Sequence, residues 1–174
     1  MLKMNHPFRI LASLILLALS FASPATESGV EVELTGSPLA GVRVLGLEVA
    51  GFRDETARYG LDGGEIERSY RQRLAQAGFE LVGMQRTTSI PGAARLQLRL
   101  YSNRTDYGYY SYLLALRLRQ KVRLGERGLL YATTWEGFRQ GIARDNELPK
   151  VARQAQELLE EFLEAHRRQN GGGP

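Results

Sequence analysis

Two stretches of this sequence alternate between leucine and polar or cationic residues, and a chain that does this has few ways to fold. In residues 95–101 (RLQLRLY), Leu96, Leu98 and Leu100 share one parity, while Arg95, Gln97 and Arg99 share the other. In residues 110–124, Tyr112, Leu114, Leu116, Leu118, Val122 and Leu124 fall on one side, with Gln120 the only polar break. Arg117, Arg119, Lys121 and Arg123 fall on the opposite side. Side chains on a strand point alternately to its two faces, so each stretch reads as a strand with one buried face and one wet face. Antiparallel sheets accept that arrangement, whereas parallel sheets are usually covered on both sides.

The remaining segments fit around these strands. Residues 42–50 (VRVLGLEVA), bounded by Gly41 and Gly51, predict a first strand. Asp62 followed by Glu65 predicts a capping box, and Ile66, Tyr70, Leu74 and Ala77 continue at helical spacing until Gly78 stops the helix. Residues 79–83 (FELVG) predict a short edge strand, and Ile90-Pro91-Gly92 a turn. A loop at 102–108 joins the two alternating strands. A tight turn at 125–128 returns the chain as residues 129–138 (LLYATTWEGF). With a two-residue turn at Glu126-Arg127, Leu118 faces Trp135, Arg117 faces Glu136 and Val122 packs beside Tyr131. A register slipped by one residue would instead set Tyr131 and Trp135 among the arginines; burying the sole tryptophan favours the first register. Asn146 as cap and Pro149 in the first turn predict a last helix to about Arg168, with Leu148, Val151, Ala155, Leu158, Leu159, Phe162 and Leu163 along one face. The order β-α-β-β-β-β-α describes an α+β domain, a largely antiparallel sheet with two amphipathic helices packed on one face.

Composition enters at the N-terminus. Lys3, His6 and Arg9 precede the apolar run 10–22, which is too short to cross a bilayer stably but suits a secretory signal. Cleavage is expected after Ala25, with Ala22 the second choice. The expected divisions are a signal peptide at 1–25, a polar lead-in at 26–38, one domain at 39–168 and a flexible tail at 169–174. This reading expects the protein outside the cytoplasm, in the periplasm of a bacterium, with no stable membrane span after cleavage. Residues 1–25 carry Lys3 and Arg9 and no acid, so the formal charge falls from +4 to +2. Overall charge therefore gives no support to nucleic acid as a partner. The 174-residue chain has no cysteine, which removes lipid attachment, disulfides and thiol chemistry together.

From residue 59 to about 165 the pattern resembles a group of small uncharacterised exported bacterial proteins. The resemblance is carried by Tyr59-Gly60-Leu61, LAQAGFELV at 74–82, LALRLRQKVRL at 114–124, ATTWEGFRQG at 132–141 and LPKVARQAQELLEEFLEAH at 148–166. It implies a signal-bearing α+β domain and no catalytic positions. The layout is also similar to that of outer-membrane assembly lipoproteins with two helices on a sheet. The lipid-attachment cysteine of those proteins is missing here.

The chemistry available is narrow. After cleavage one histidine remains, His166 near the end of the last helix, so His-based nucleophile triads and metal sites lack their parts. Glu157, Glu160, Glu161 and Glu164 read as a solvated helix face. Glycines 60, 63 and 64 match neither nucleotide-binding spacing. Neither a catalytic residue, a metal nor a cofactor is expected. The feature that points to function is the cationic stripe of Arg95, Arg99, Arg117, Arg119, Lys121 and Arg123 on one sheet face. Such a stripe suits an anionic envelope component or an envelope protein as partner, although the same residues also serve simply to keep a wet face soluble. Tyr107, Tyr109 and Tyr110, beside Tyr112, form a candidate partner loop. The function expected is that of an exported, non-enzymatic binding or adaptor domain. Its alternatives are a carboxylate-dependent hydrolase of envelope polysaccharide and a lipid carrier with an apolar cavity.

Overall fold

A computed structural model of the chain describes residues 37–123 and 128–171. The expected signal peptide, most of the lead-in, Leu124 with the turn at 125–127 and the last three residues of the tail lie outside the described residues. The domain is α+β. Five strands, β1 (Val44–Ala50), β2 (Glu80–Val82), β3 (Ala94–Arg104), β4 (Tyr109–Arg123) and β5 (Leu129–Arg144), form one sheet in the order β2-β1-β3-β4-β5. The three long strands make an antiparallel meander, while β1 runs parallel to both of its neighbours. Helix α2 (Gly63–Gln76) supplies the crossover that parallel pairing of β1 with β2 requires. Helix α3 (Leu148–Gln169) follows β5 and packs back over the sheet.

The expected order gains a short helix α1 (Asp54–Ala57) and two 3₁₀ turns, Met84–Thr88 and Asp145–Glu147. Helix α1 sits in a stretch whose charges concealed it. Its anchor is the buried Thr56, whose hydroxyl donates to the carbonyls of Arg53 at 2.7 Å and Leu61 at 2.9 Å. The start of α2 is half as expected: Asp62 accepts from the amides of Gly64 and Glu65, but the Glu65 carboxylate turns to Arg68 instead of closing the box. At its other end Gly78 adopts φ +89°, and the amides of Gly78 and Phe79 return to the carbonyls of Ala75 and Leu74. Ala77 is exposed, so the buried stripe of α2 is Ile66, Tyr70 and Leu74. Asn146 does not cap α3. The Asp145–Glu147 turn leads into that helix, with the Glu147 carboxylate accepting from the Arg144 amide and Pro149 in the first helical turn, where its missing N–H costs nothing.

The division between leucine and cation holds. Leu96, Leu98, Leu100, Leu114, Leu116 and Leu118 are buried beneath Leu158, Leu159 and Phe162 of α3 and the apolar stripe of α2. The two helices are tied directly, because the Tyr70 hydroxyl donates to the Ala155 carbonyl at 2.5 Å. Trp135 is half-buried and meets Phe162 edge-on, with ring centres 5.3 Å apart. The end of α3 is fastened to the start of the fold. The Leu39 amide donates to Gln169, the Gly41 amide donates to Asn170, and the Asn170 side chain donates to the Leu39 carbonyl.

The β4–β5 hairpin combines both registers considered from sequence. Leu118 pairs with Trp135 and Arg117 with Glu136, as expected. A bulge between Leu118 and Arg119 then shifts the register, so that Arg119 pairs with Thr133, Lys121 with Tyr131 and Val122 with Leu130. Thr134 is the extra residue that the bulge accommodates. The expectation that Val122 packs beside Tyr131 is therefore corrected: Tyr131 stands on the cationic side, while Trp135 stays on the core side.

Candidate functional site

The sheet face away from α2 and α3 carries the candidate residues. From β3 come Arg95, Gln97, Arg99 and Tyr101, from β4 Arg117, Arg119, Lys121 and Arg123, and from β5 Tyr131, Thr133 and Glu136. All six predicted cations thus share one face, but they are not equally free. Glu48 of β1 lies beside them and accepts from Gln97 and, at 3.0 Å, from Arg99. Glu136 accepts from Arg117 at 2.6 Å. This bond, ahead of the opposing effect of burial, holds the Arg117 guanidinium protonated above its ordinary value. Among the described residues Arg119 reaches only the Tyr131 carbonyl, at 3.3 Å. Arg123 is exposed, opposite Leu129 at the hairpin end.

Arg95 and Lys121 are engaged by a part of the chain that the sequence reading placed nowhere near them. The 3₁₀ turn Met84–Thr88 lies over Gly46 of β1 on this same face. A β-carbon at Gly46 would come 2.6 Å from Thr87 Cγ2 and 2.8 Å from Met84 Sδ, so only glycine leaves room for the turn. Arg95 donates to the hydroxyls of Thr87 at 2.8 Å and Thr88 at 3.0 Å, and lies 4.0 Å over the Tyr131 ring. Lys121 donates to the Thr88 carbonyl, and the Tyr131 hydroxyl to that of Thr87. Burial pushes the Tyr131 phenol up, but hydrogen bonding from the Thr87 and Thr88 side chains and the charges of Arg95 and Lys121 outweigh burial. The phenol ends below its ordinary value.

Between this clamp and the ion pairs lies a recess of about 260 Å³, framed by Arg99, Arg117 and Arg119 with Tyr101, Tyr131 and Thr133. Three arginines line it, and two of them are steadied by carboxylates. Such a recess offers planar, multiply donating groups to an anionic oxygen cluster. A shallower hollow of about 670 Å³ adjoins it across Tyr101, Leu113, Gln140 and Ile142.

The tyrosine loop divides. Tyr107 is 89% exposed at the tip, Tyr109 is half-buried and accepts from Arg144 at 2.6 Å, and Tyr110 is only 3% exposed. Tyr110 therefore leaves the candidate partner loop and joins the core, where burial foremost raises its phenol above the ordinary value. Tyr112 also packs against the core and donates its hydroxyl to Gln154.

The other candidates are engaged structurally. His166 Nε2 lies 2.8 Å from the Val42 carbonyl, and its ring is 4.5 Å from that of Phe79. Glu157, Glu160, Glu161 and Glu164 pair with Arg153, Arg73, Arg139 and Arg168. Among the described residues no three His, Cys, Asp or Glu side chains are grouped to hold a metal, and no helix is long and apolar enough to cross a membrane. In sequence the chain matches no protein-family model and no curated protein.

Sequence reasoning set Tyr131 among the arginines only in the register it did not favour, and missed Glu48, Thr87 and Thr88. Gly46 and Glu48 were signals that could have found two of these contacts. A glycine inside a valine-rich strand marks a close approach, and a lone acid of the same parity marks a wet face.

Proposed function

We propose that the protein is an exported, periplasmic, non-enzymatic binding domain that recognises a phosphate-bearing component of the cell envelope through the cationic sheet face. The observation that carries this reading is the recess lined by Arg99, Arg117 and Arg119. Its size suits a head group, whereas a protein partner would spread over about 800 Å² a side. Glu48 and Glu136 hold two of the guanidiniums in place, so an arriving anion meets donors already oriented and exchanges with carboxylates instead of ordering loose side chains. Glu157, Glu160, Glu161 and Glu164, the carboxylates weighed for a hydrolase, are each paired with arginine. Leu159, Phe162 and the strand leucines fill the space between helices and sheet that a lipid carrier would keep open.

The test is co-sedimentation of the mature chain with vesicles of phosphatidylglycerol or of phosphatidylcholine, at low and high salt. Binding to the anionic vesicles alone, lost as salt rises, is expected. A basic residue at an anionic surface contributes about 1 kcal/mol, so replacing Arg117 and Arg119 together by Gln weakens partitioning by roughly thirtyfold. Inorganic phosphate as competitor separates recognition of the phosphate from a diffuse surface effect. Equal binding to both vesicles, or binding only to polyglutamate, would reject this reading.

A further inference from the structure

The sheet ends at β5, a sixteen-residue strand with no strand neighbour on its outer side among the described residues. A long open edge invites pairing, and proteins blunt such edges with bulges and charges. Here the bulge blunts only the half near the hairpin. From Glu136 to Arg144 the strand runs without irregularity, and on the face away from α2 and α3 it presents Glu136, Phe138, Gln140, Ile142 and Arg144 in sequence. Phe138 is 56% exposed and Ile142 72%.

That series is complementary to itself in reverse. We propose that the chain forms a two-fold dimer in which β5 pairs antiparallel with β5 of a second copy, centred on Gln140. In this register Glu136 lies opposite Arg144 of the second copy, Phe138 opposite Ile142, and the Gln140 amides face each other across the axis. Directly opposed residues lie on the same sheet face, so both ion pairs and both apolar pairs form together. On the helix side, Arg139 falls opposite Gly141 and Gly137 opposite Ala143, so each larger group meets a small one. Arg139 is held by Glu161, which keeps its charge compensated at the junction.

Neighbouring registers lack this match. Moving the centre to Phe138 places Glu136 against Gln140, and moving it to Ile142 places Arg144 against Gln140. Moving it by one residue, to Arg139, sets Glu136 against Ile142. The regular stretch from Glu136 to Arg144 has Gln140 as its midpoint, so the favoured register also uses the whole of it. The dimer would be a ten-stranded sheet with both guanidinium recesses open on one face. It does not depend on what those recesses bind.

Sedimentation velocity over a wide concentration range tests the association, with a monomer–dimer equilibrium expected. Glu136→Arg or Arg144→Glu alone turns two ion pairs into two like-charge pairs and weakens the dimer about tenfold. The double variant Glu136→Arg/Arg144→Glu recovers it. Because the chain has no cysteine of its own, Gln140→Cys gives a second, independent readout. It cross-links to its counterpart under mild oxidation, whereas Thr133→Cys, beyond the bulge, does not. Circular dichroism confirms that each variant is folded. A monomer at every concentration, open-ended assembly, equal cross-linking at both positions or a double variant no better than the singles would overturn the proposal.

Discussion

Replacing Gly46 by alanine tests how the cationic face is built, because the sign of the effect depends on one contact. In an unobstructed strand, Gly→Ala stabilises by about 0.4–1 kcal/mol, since it removes freedom from the unfolded chain. At Gly46 the new methyl would lie 2.6 Å from Thr87 Cγ2, 2.8 Å from Met84 Sδ and 3.3 Å from Met84 Cα. The sulfur can swing aside, but the Met84 backbone moves only if the whole Met84–Thr88 turn lifts. Overpacking of this kind costs about 1–3 kcal/mol. The lift also loosens the bonds from Arg95, Lys121 and Tyr131 to Thr87 and Thr88, each worth about 0.5–1.5 kcal/mol net and less where solvent screens the charge. A net loss of about 1–3 kcal/mol is therefore expected, read from urea unfolding with an unchanged m-value. Gly83→Ala serves as the control: it has open space at its β-carbon and an ordinary backbone, and should be neutral or slightly stabilising. Ultraviolet titration adds a local readout, because the lowered Tyr131 phenol moves back towards its ordinary value once the turn lifts. A Gly46→Ala protein as stable as its parent, with Tyr131 titrating unchanged, would refute the account of this face.

Two further outcomes concern the core. Phe162→Ala removes the ring that stacks on Phe79 and meets Trp135 edge-on, and should cost about 3–5 kcal/mol, with the emission of the sole tryptophan shifting to the red. Tyr70 has its phenol raised far above the ordinary value, first by burial and then by the charge of Glu160. The folded state thus keeps a proton that the unfolded chain releases near pH 10, so this stability is complete below about pH 10 and falls above it by up to about 1.4 kcal/mol per pH unit. Tyr70→Phe flattens that alkaline limb in pH-dependent urea midpoints, and it costs about 0.5–1.5 kcal/mol at neutral pH through the lost bond to Ala155.

The features legible in the sequence were those set by local period. Leucine parity placed β3 and β4, the 3.6-residue spacing placed α2 and α3, and turn length put Leu118 opposite Trp135. What escaped was set by neighbours distant in sequence. A bulge leaves little trace where the alternation is already weak, as in Ala132-Thr133-Thr134, so Tyr131 was assigned to the wrong side. The Met84–Thr88 turn has no period, and its seat on Gly46 depends on an approach across 38 or more residues of chain. The six cations were placed on the correct face, but parity alone does not tell which of them are already occupied by Glu48, Glu136 or the threonine turn. Tyr110, at the start of its strand, was grouped with the candidate partner loop that it adjoins, yet it faces the core on the leucine side of β4.

The knot of Leu39 and Gly41 with Gln169 and Asn170 has an engineering consequence. Entry and exit of the folded chain meet at a single pole, so a short bridge across that pole could replace a cut made elsewhere. A circularly permuted molecule, opened at the Tyr107 tip and sealed between Leu39 and Asn170, should retain its architecture.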